Sequence, residues 1–203
     1  MNQPRDRLGR FRAVPAAPPV TSLDAIYGTT PLDADEERYL ADPSLVGVTK
    51  AEIDRREAAG LTDAYAWVQD TNPDLLDEHT LRTMHRIAFG RVWTWAGTYR
   101  TRELSIGIDP SQIGVQMAQL FGSLAWRASQ GLLDEGDIAR SHLALTSIHP
   151  FHNGNGRLAR AWATMLARRF DLTPPTWGER EAYIAALRSG DERVVDAHLY
   201  PAR

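Results

Sequence analysis

The chain contains no cysteine in its 203 residues. That excludes disulfides, zinc–thiolate sites, iron–sulfur clusters and thiol catalysis, and it suits a reducing compartment. It has no run of about 18 consecutive apolar residues, so nothing in it reads as a membrane-spanning helix. It has no excess of positive charge. A formal net charge of −3 argues against a protein that coats nucleic acid, although a local basic pocket remains compatible with it. The opening MNQPRDRLGRFRAV carries arginines without the apolar stretch of a secretory signal. With 43% apolar and 24% charged residues, wholesale disorder, collagen-like repetition and a coiled-coil rod are ruled out. A chain of this length buries roughly 70% of its unfolded surface and folds without staples.

Residues 1–32 hold Pro4, Pro15, Pro18, Pro19 and Pro31 with scattered arginines and little periodicity. They read as an N-terminal arm, first a mobile tail and second a segment that wraps the domain or meets a partner. Residues 33–203 carry a helical period. Thr49 caps a helix with Ile53, Leu61, Tyr65 and Val68 on one face, weakened in the middle by Gly60. Asp77 opens a second helix with Leu81, Met84, His85 and Ala88 inward, and Gly90 closes it. The aromatic knot VWTWAGTYR follows, then Thr101 to Ile108, which predicts a short β-hairpin. Asp109-Pro110 restarts helix, with Ile113, Met117, Leu120, Phe121 and Leu124 in register. Asp134 and Asp137 begin the next, carrying Ile138, His142, Leu145 and Ile148. After Pro150 and Gly154, the residues Leu158, Ala161, Trp162, Met165 and Leu166 restore one apolar face, and Gly178 to Arg188 predicts a terminal helix. No repeat of solenoid period is present. The expected fold is mainly α, with one small hairpin.

The same chain has no aspartate or glutamate between Ile138 and Phe170, a stretch that carries Arg140, Arg157, Arg160, Arg168 and Arg169 with His142, His149 and His152. Such a segment attracts anions. A helix starts near Gly156, where carboxylates are favoured because unpaired N–H groups make the first turn positive. Here that turn carries Arg157, followed one turn on by Arg160. Cations there suit an occupying anion, and Gly154 and Gly156 let the backbone approach it as phosphate loops do. A plain Gly-Asn-Gly turn with solvated arginines accounts for the residues equally well. His149, beside such a cradle, takes a proton from a hydroxyl at neutral pH; standing alone, such a histidine is more often a helix-end or core residue. Irregular spacing, an intervening proline and the lack of a neighbouring carboxylate argue against a metal site formed by His142, His149 and His152.

The segment HPFHNGNGRLAR, His149 to Arg160, resembles the signature HPFx(D/E)GNGRxxR of the Fic (Fido) family and departs from it only at Asn153. LRTMHRIAFGRVWTWAGTY, Leu81 to Tyr99, is similar to the family's helix and WAG segment. Thr101 to Ile108 resembles its hairpin flap, and EAYIAALRSGD, Glu181 to Asp191, its closing helix. The likeness covers about Thr49 to Asp191. Thr30 to Asp33, TPLD, together with the asparagine in the loop, looks most like the subgroup called mobile mystery protein B. The resemblance implies a Fic/Doc-type helical bundle that uses ATP as co-substrate with Mg²⁺ and transfers AMP to a Ser, Thr or Tyr hydroxyl of a target protein. Carried over, His149 is the general base and Phe151 the loop's anchor. Gly154, Asn155 and Gly156 form the anion hole, and Arg157 and Arg160 meet the β- and γ-phosphates. Arg102, Glu103, Leu104, Ser105 and Ile106 form the flap that holds the target in extended form. The implied setting is a bacterial cytoplasm, with export by a specialised system left open, and neither nucleic acid nor membrane as partner.

Two points depart from the family. Asn153 stands where the family's carboxylate holds Mg²⁺; an amide oxygen ligates a hard cation more weakly. The readings are weakened AMP transfer, transfer of another group, or nucleotide binding without activity. Phosphate transfer of the Doc type is the rival enzyme reading, and the GNGR sequence counts against it. The restraining pattern (S/T)xxxE(G/N), whose glutamate pairs with the second arginine of the loop, has no complete match. Glu57 lies on a helix in a suitable region, but it reads first as a solvated helix charge and only second as an inhibitory residue. Restraint by a separate small antitoxin, in a toxin-like system, is the remaining expectation.

Overall fold

Capping residues start the helices where the spacing predicts. In the computed structural model, which describes residues 34–201, a short α1 (Ala34–Glu37) precedes α2 (Lys50–Thr71), capped by the Thr49 hydroxyl on the amide of Glu52 at 3.3 Å. Helix α3 (Glu78–Phe89) starts at Asp77, whose carboxylate accepts from His79 N at 2.9 Å. Asp109 caps a single 3₁₀ turn, Pro110–Gln112, that leads into α4 (Ile113–Ser129). Helix α5 (Glu135–Ile148) opens with a reciprocal capping box between Asp134 and Asp137. Then come α6 (Asn155–Arg169), α7 (Arg180–Ser189) and α8 (Glu192–Leu199). The N-terminal arm and the TPLD segment lie outside the described residues.

Gly60 is where α2 crosses α3. A Cβ there would stand 2.0 Å from the Ala88 carbonyl oxygen, so the glycine is what lets the two backbones touch. Helix α6 is buried on nearly every side, through Leu158, Ala159, Trp162, Ala163, Met165, Leu166 and Ala167. The Trp162 indole donates to the Leu75 carbonyl at 3.0 Å, tying this central helix to the α2–α3 connection. Helix α5 packs one side on that core. Its Ala139 and Leu143 face a second apolar cluster formed with Tyr183, Ala186, Val195, Leu199 and Tyr200.

Two expectations are corrected. The last helix is α8, not the one ending near Arg188: Gly190 turns the chain at φ 65° and Asp191 caps a further helix on Arg193 N at 2.8 Å. No hairpin forms at Thr101 to Ile108; the chain pairs in β fashion elsewhere, at an isolated bridge between Leu40 and Trp93. The carbonyls a hairpin ladder would use are taken instead by the Arg100 guanidinium, which donates to Arg102 O at 2.9 Å and Ile108 O at 2.5 Å. The segment is an irregular loop closed by one side chain.

Candidate functional site

The loop between α5 and α6 is fixed by buried side chains. His149 ends α5 in the left-handed region, φ 52°, a conformation that costs a non-glycine residue energy and must be held by its surroundings. Arg100 holds it, donating from Nε to the His149 carbonyl at 2.8 Å, while the amide of Arg100 binds Pro150 O at 2.9 Å. Phe151 is fully buried. The Asn155 side chain clips it at both ends, accepting from Phe151 N at 2.9 Å and donating to Phe151 O at 2.8 Å. His85 stacks on Phe151 with ring centroids 3.8 Å apart. Its Nδ1 accepts from Gly97 N at 2.9 Å, so the proton lies on Nε2, which donates to Asn153 O at 3.0 Å. Burial pushes the His85 imidazole down to about 3, so it is neutral. Gly154, at φ 78°, lies against Phe89, 2.7 Å from where a Cβ would be, so only glycine fits.

The loop opens onto a pocket of about 790 Å³. One wall is His149, residues 153–157 and Arg160; the other comes from Trp177 and α7, including Arg180, Tyr183 and Arg188. Among the described residues the sole carboxylate lining it is Glu179, against Arg157, Arg160, Arg180 and Arg188, so this lining is cationic in a chain of net charge −3. The amides of Asn155 and Gly156 begin α6 without an acceptor among the described residues, and nothing but the Arg160 tip, 3.8 Å away, approaches a Cβ at Gly156. Arg160 lies over the Tyr183 ring at 5.4 Å, and Tyr183 in turn hydrogen-bonds the buried His142 at 2.9 Å. His149 is half-buried, and that burial, followed by the nearby Arg100 charge, lowers its pKa against the opposing Thr146 backbone hydrogen bond. It is therefore the neutral, proton-accepting form at pH 7.

The expected site residues fall in different places. His149, Asn153, Gly154, Asn155, Gly156, Arg157 and Arg160 all line the pocket, and Phe151 anchors the loop beneath it. The Asn155 side chain is spent on the loop, leaving only its backbone amide for a ligand. Of the flap, Ile106 reaches the pocket; Arg102 turns away to hydrogen-bond Tyr39 Oη at 2.6 Å, and Glu103, Leu104 and Ser105 do not line it. Glu57 corrects the reading of a solvated charge. It is 1% exposed and forms an ion pair with Arg157 at 2.5 Å. The histidines part company: His142 meets Tyr183, whereas His152 packs beside Tyr39 and Trp95. His85, Arg100 and Tyr183 are site-building residues whose partners lie far along the chain, and the helical pattern registered His85 and Tyr183 only as members of helices.

A protein-held Mg²⁺ does not fit this loop. Asn153 brings no charge, and its Oδ1 is turned back onto Gly154 N at 2.6 Å. Among the described residues no group of three or more His, Cys, Asp or Glu comes together.

Residues 75–167 match the model of the Fic/DOC family. The chain is 26% identical over 159 residues to protein adenylyltransferase fic-1 of Caenorhabditis elegans, covering 74% of this chain and 31% of that protein. It thus spans about a third of that relative's length. The fold is similar to Fic-1 (aa134–508, E274G) of C. elegans, with a TM-score of 0.65 and 24% identity over 88% of this chain and 57% of that one. It is also similar to the BepC protein of Bartonella tribocorum, a VirB-translocated effector solved with bound AMPPNP, with a TM-score of 0.62 and 20% identity over 86% and 92% of the two chains. Sequence and fold agree over residues 75–167, the stretch that matches the Fic/DOC family model.

Proposed function

We propose that the chain transfers AMP from ATP to a Ser, Thr or Tyr hydroxyl of a target protein. The observation that carries this reading is the pairing of a neutral, half-buried His149 with a helix N-terminus that no side chain caps, flanked by Arg157 and Arg160, all around one pocket. An adenylyltransferase as relative and a nucleotide analogue bound to a similar fold support it.

On this reading, the triphosphate lies along the first turn of α6, its charge met by the amides of Asn155 and Gly156 and by the two arginines. His149 Nε2 or Nδ1 takes the proton of the incoming hydroxyl as its oxygen attacks the α-phosphorus. The P–O bond to the β-phosphate breaks, and pyrophosphate leaves. Ile106 and the neighbouring loop flank the approaching hydroxyl, with the target segment laid beside residues 102–106. The chain contributes positioning and charge, which this transfer chiefly demands. A small antitoxin covering the pocket would be the natural restraint of a toxin-like enzyme.

The test is labelling of a cognate lysate with α-labelled and γ-labelled ATP, using wild type and His149→Ala. Label from the α-position that disappears in His149→Ala supports AMP transfer. Label from the γ-position only would replace it with phosphate transfer. ATP binding without either label would favour a nucleotide-binding module, the reading that the missing carboxylate at Asn153 supports.

A further inference from the structure

Glu57 is a buried carboxylate with one partner on each oxygen. Oε1 accepts from the Trp93 indole Nε1 at 2.5 Å, and Oε2 pairs with Arg157 Nη1 at 2.5 Å. Buried charges persist only when paired and hydrogen-bonded, and both conditions hold here. The carboxylate belongs to α2, the indole to the turn after α3, and the guanidinium to the first turn of α6. Three parts of the fold therefore converge on one group.

The consequence falls on Arg157. An arginine at a helix N-terminus sits against the positive end of the dipole, and left alone it would swing to solvent. Glu57 holds one edge of its guanidinium and the Phe89 ring lies 5.0 Å from its centre, leaving it lining the pocket at 10% exposure. Glu57 does not line the pocket, and its ion pair is with Arg157; Arg160 stays over Tyr183. A carboxylate that plugged the phosphate site would stand in the pocket. This one stands behind it. We infer that Glu57, backed by Trp93, is a positioning residue that presents Arg157 to the phosphates and leaves the pocket open. The inference rests on the transfer reading above for its kinetic consequence, but not for its structural one.

Two readouts test it. In nucleotide transfer from α-labelled ATP, Glu57→Gln keeps the shape, retains an acceptor for Trp93 and loses the charge that orients Arg157. The rate is expected to fall at least tenfold while KM for ATP moves less than about threefold, the mark of lost orientation rather than lost binding. Glu57→Asp, which keeps the charge, is expected to recover part of that loss. In ¹⁵N spectra of the arginine side chains, the Arg157 Nη signals should be separate and slowly rotating in wild type and averaged in Glu57→Gln. Faster transfer by Glu57→Gln would make Glu57 a plug and overturn the inference, as would unaltered transfer with Arg157 still ordered. If the wild type transfers nothing, the proposed activity fails and the Arg157 spectra alone decide Glu57. Should Glu57→Gln not fold, Trp93→Phe, which removes the rear hydrogen bond while keeping an aromatic ring in the core, must loosen Arg157 in the same spectra, and an unchanged Arg157 would refute the claim.

Discussion

Two glycines in the same tight sequence should respond oppositely to a single methyl group. At Gly154 the backbone sits at φ 78°, which costs an L-residue about 1–2 kcal/mol. The new Cβ would also lie 2.7 Å from Phe89 ring atoms that are themselves wholly buried, so either Phe89 or the loop must move, at about 1–3 kcal/mol. Gly154→Ala is therefore expected to lose about 2–5 kcal/mol, which for a chain of this size lowers Tm by roughly 5–15 °C. Gly156 lies inside the first turn of α6, without a positive φ and with nothing but the Arg160 tip within 4 Å of a Cβ. Gly156→Ala should gain up to about 1 kcal/mol of helix propensity and leave Tm equal or higher. On the proposed reading, however, its methyl group stands where the phosphates approach the amides, so ATP affinity should fall at least tenfold, roughly 1.4 kcal/mol. Differential scanning calorimetry and titration calorimetry with ATP separate the two effects. The reasoning is refuted if Gly154→Ala melts with wild type, or if Gly156→Ala binds ATP as well as wild type does.

The two loop arginines should likewise diverge: Arg157→Ala strands the buried Glu57 carboxylate and should cost about 3–5 kcal/mol in urea unfolding, whereas Arg160→Ala should leave stability alone and weaken ATP binding roughly tenfold or more. His85 and His142, both pushed down to about 3 by burial, are neutral when folded and protonated when unfolded below pH 6.5, so the unfolded state binds the extra protons. Stability should be full above pH 6.5 and drop on acidification, by about 3 kcal/mol for the pair between pH 7.5 and 5.5; a flat urea midpoint over that range would contradict their neutrality. The lowered pKa of His149 places its acid limb below 6.5, so label transfer should be level from pH 7 to 8 and decline only further down, and a half-maximum above 6.5 would remove His149 as a buried neutral base.

What the sequence disclosed was local. Thr49, Asp77, Asp109 and Asp134 are side chains that satisfy amides two or three residues away, so each helix start was written beside the helix it starts. The arginine-bearing, acid-free first turn of α6 was legible for the same reason. What stayed hidden depends on partners distant in sequence. Glu57 has the pattern of a solvated helix residue because its neighbours reveal nothing of Trp93, 36 residues on, or Arg157, 100 residues on. The residues 101–108 carry enough β-formers to suggest strands, but the carbonyls are claimed by Arg100, and no local pattern announces a guanidinium that replaces a ladder. Gly60 looked like a flaw in α2 until its crossing with Ala88 gave it a reason.

The loop is held by groups that a ligand has no need to touch. Arg100 fixes the His149 carbonyl, the Asn155 amide fixes both backbone groups of Phe151, and His85 fixes the Asn153 carbonyl. Each acts on the backbone, so His149 and the helix N-terminus are held by the fold itself, and on the proposed reading little ordering is left to oppose nucleotide binding. The same arrangement bears on charge. Asn153 adds none, Glu57 is committed to Arg157 from behind, and Glu179 lies across the pocket on the other wall. A triphosphate entering this cavity therefore meets four arginines against one lining carboxylate, with open amides beside them, which favours the anion itself. Any divalent cation would have to come in on the phosphates, because the loop offers it no carboxylate of its own.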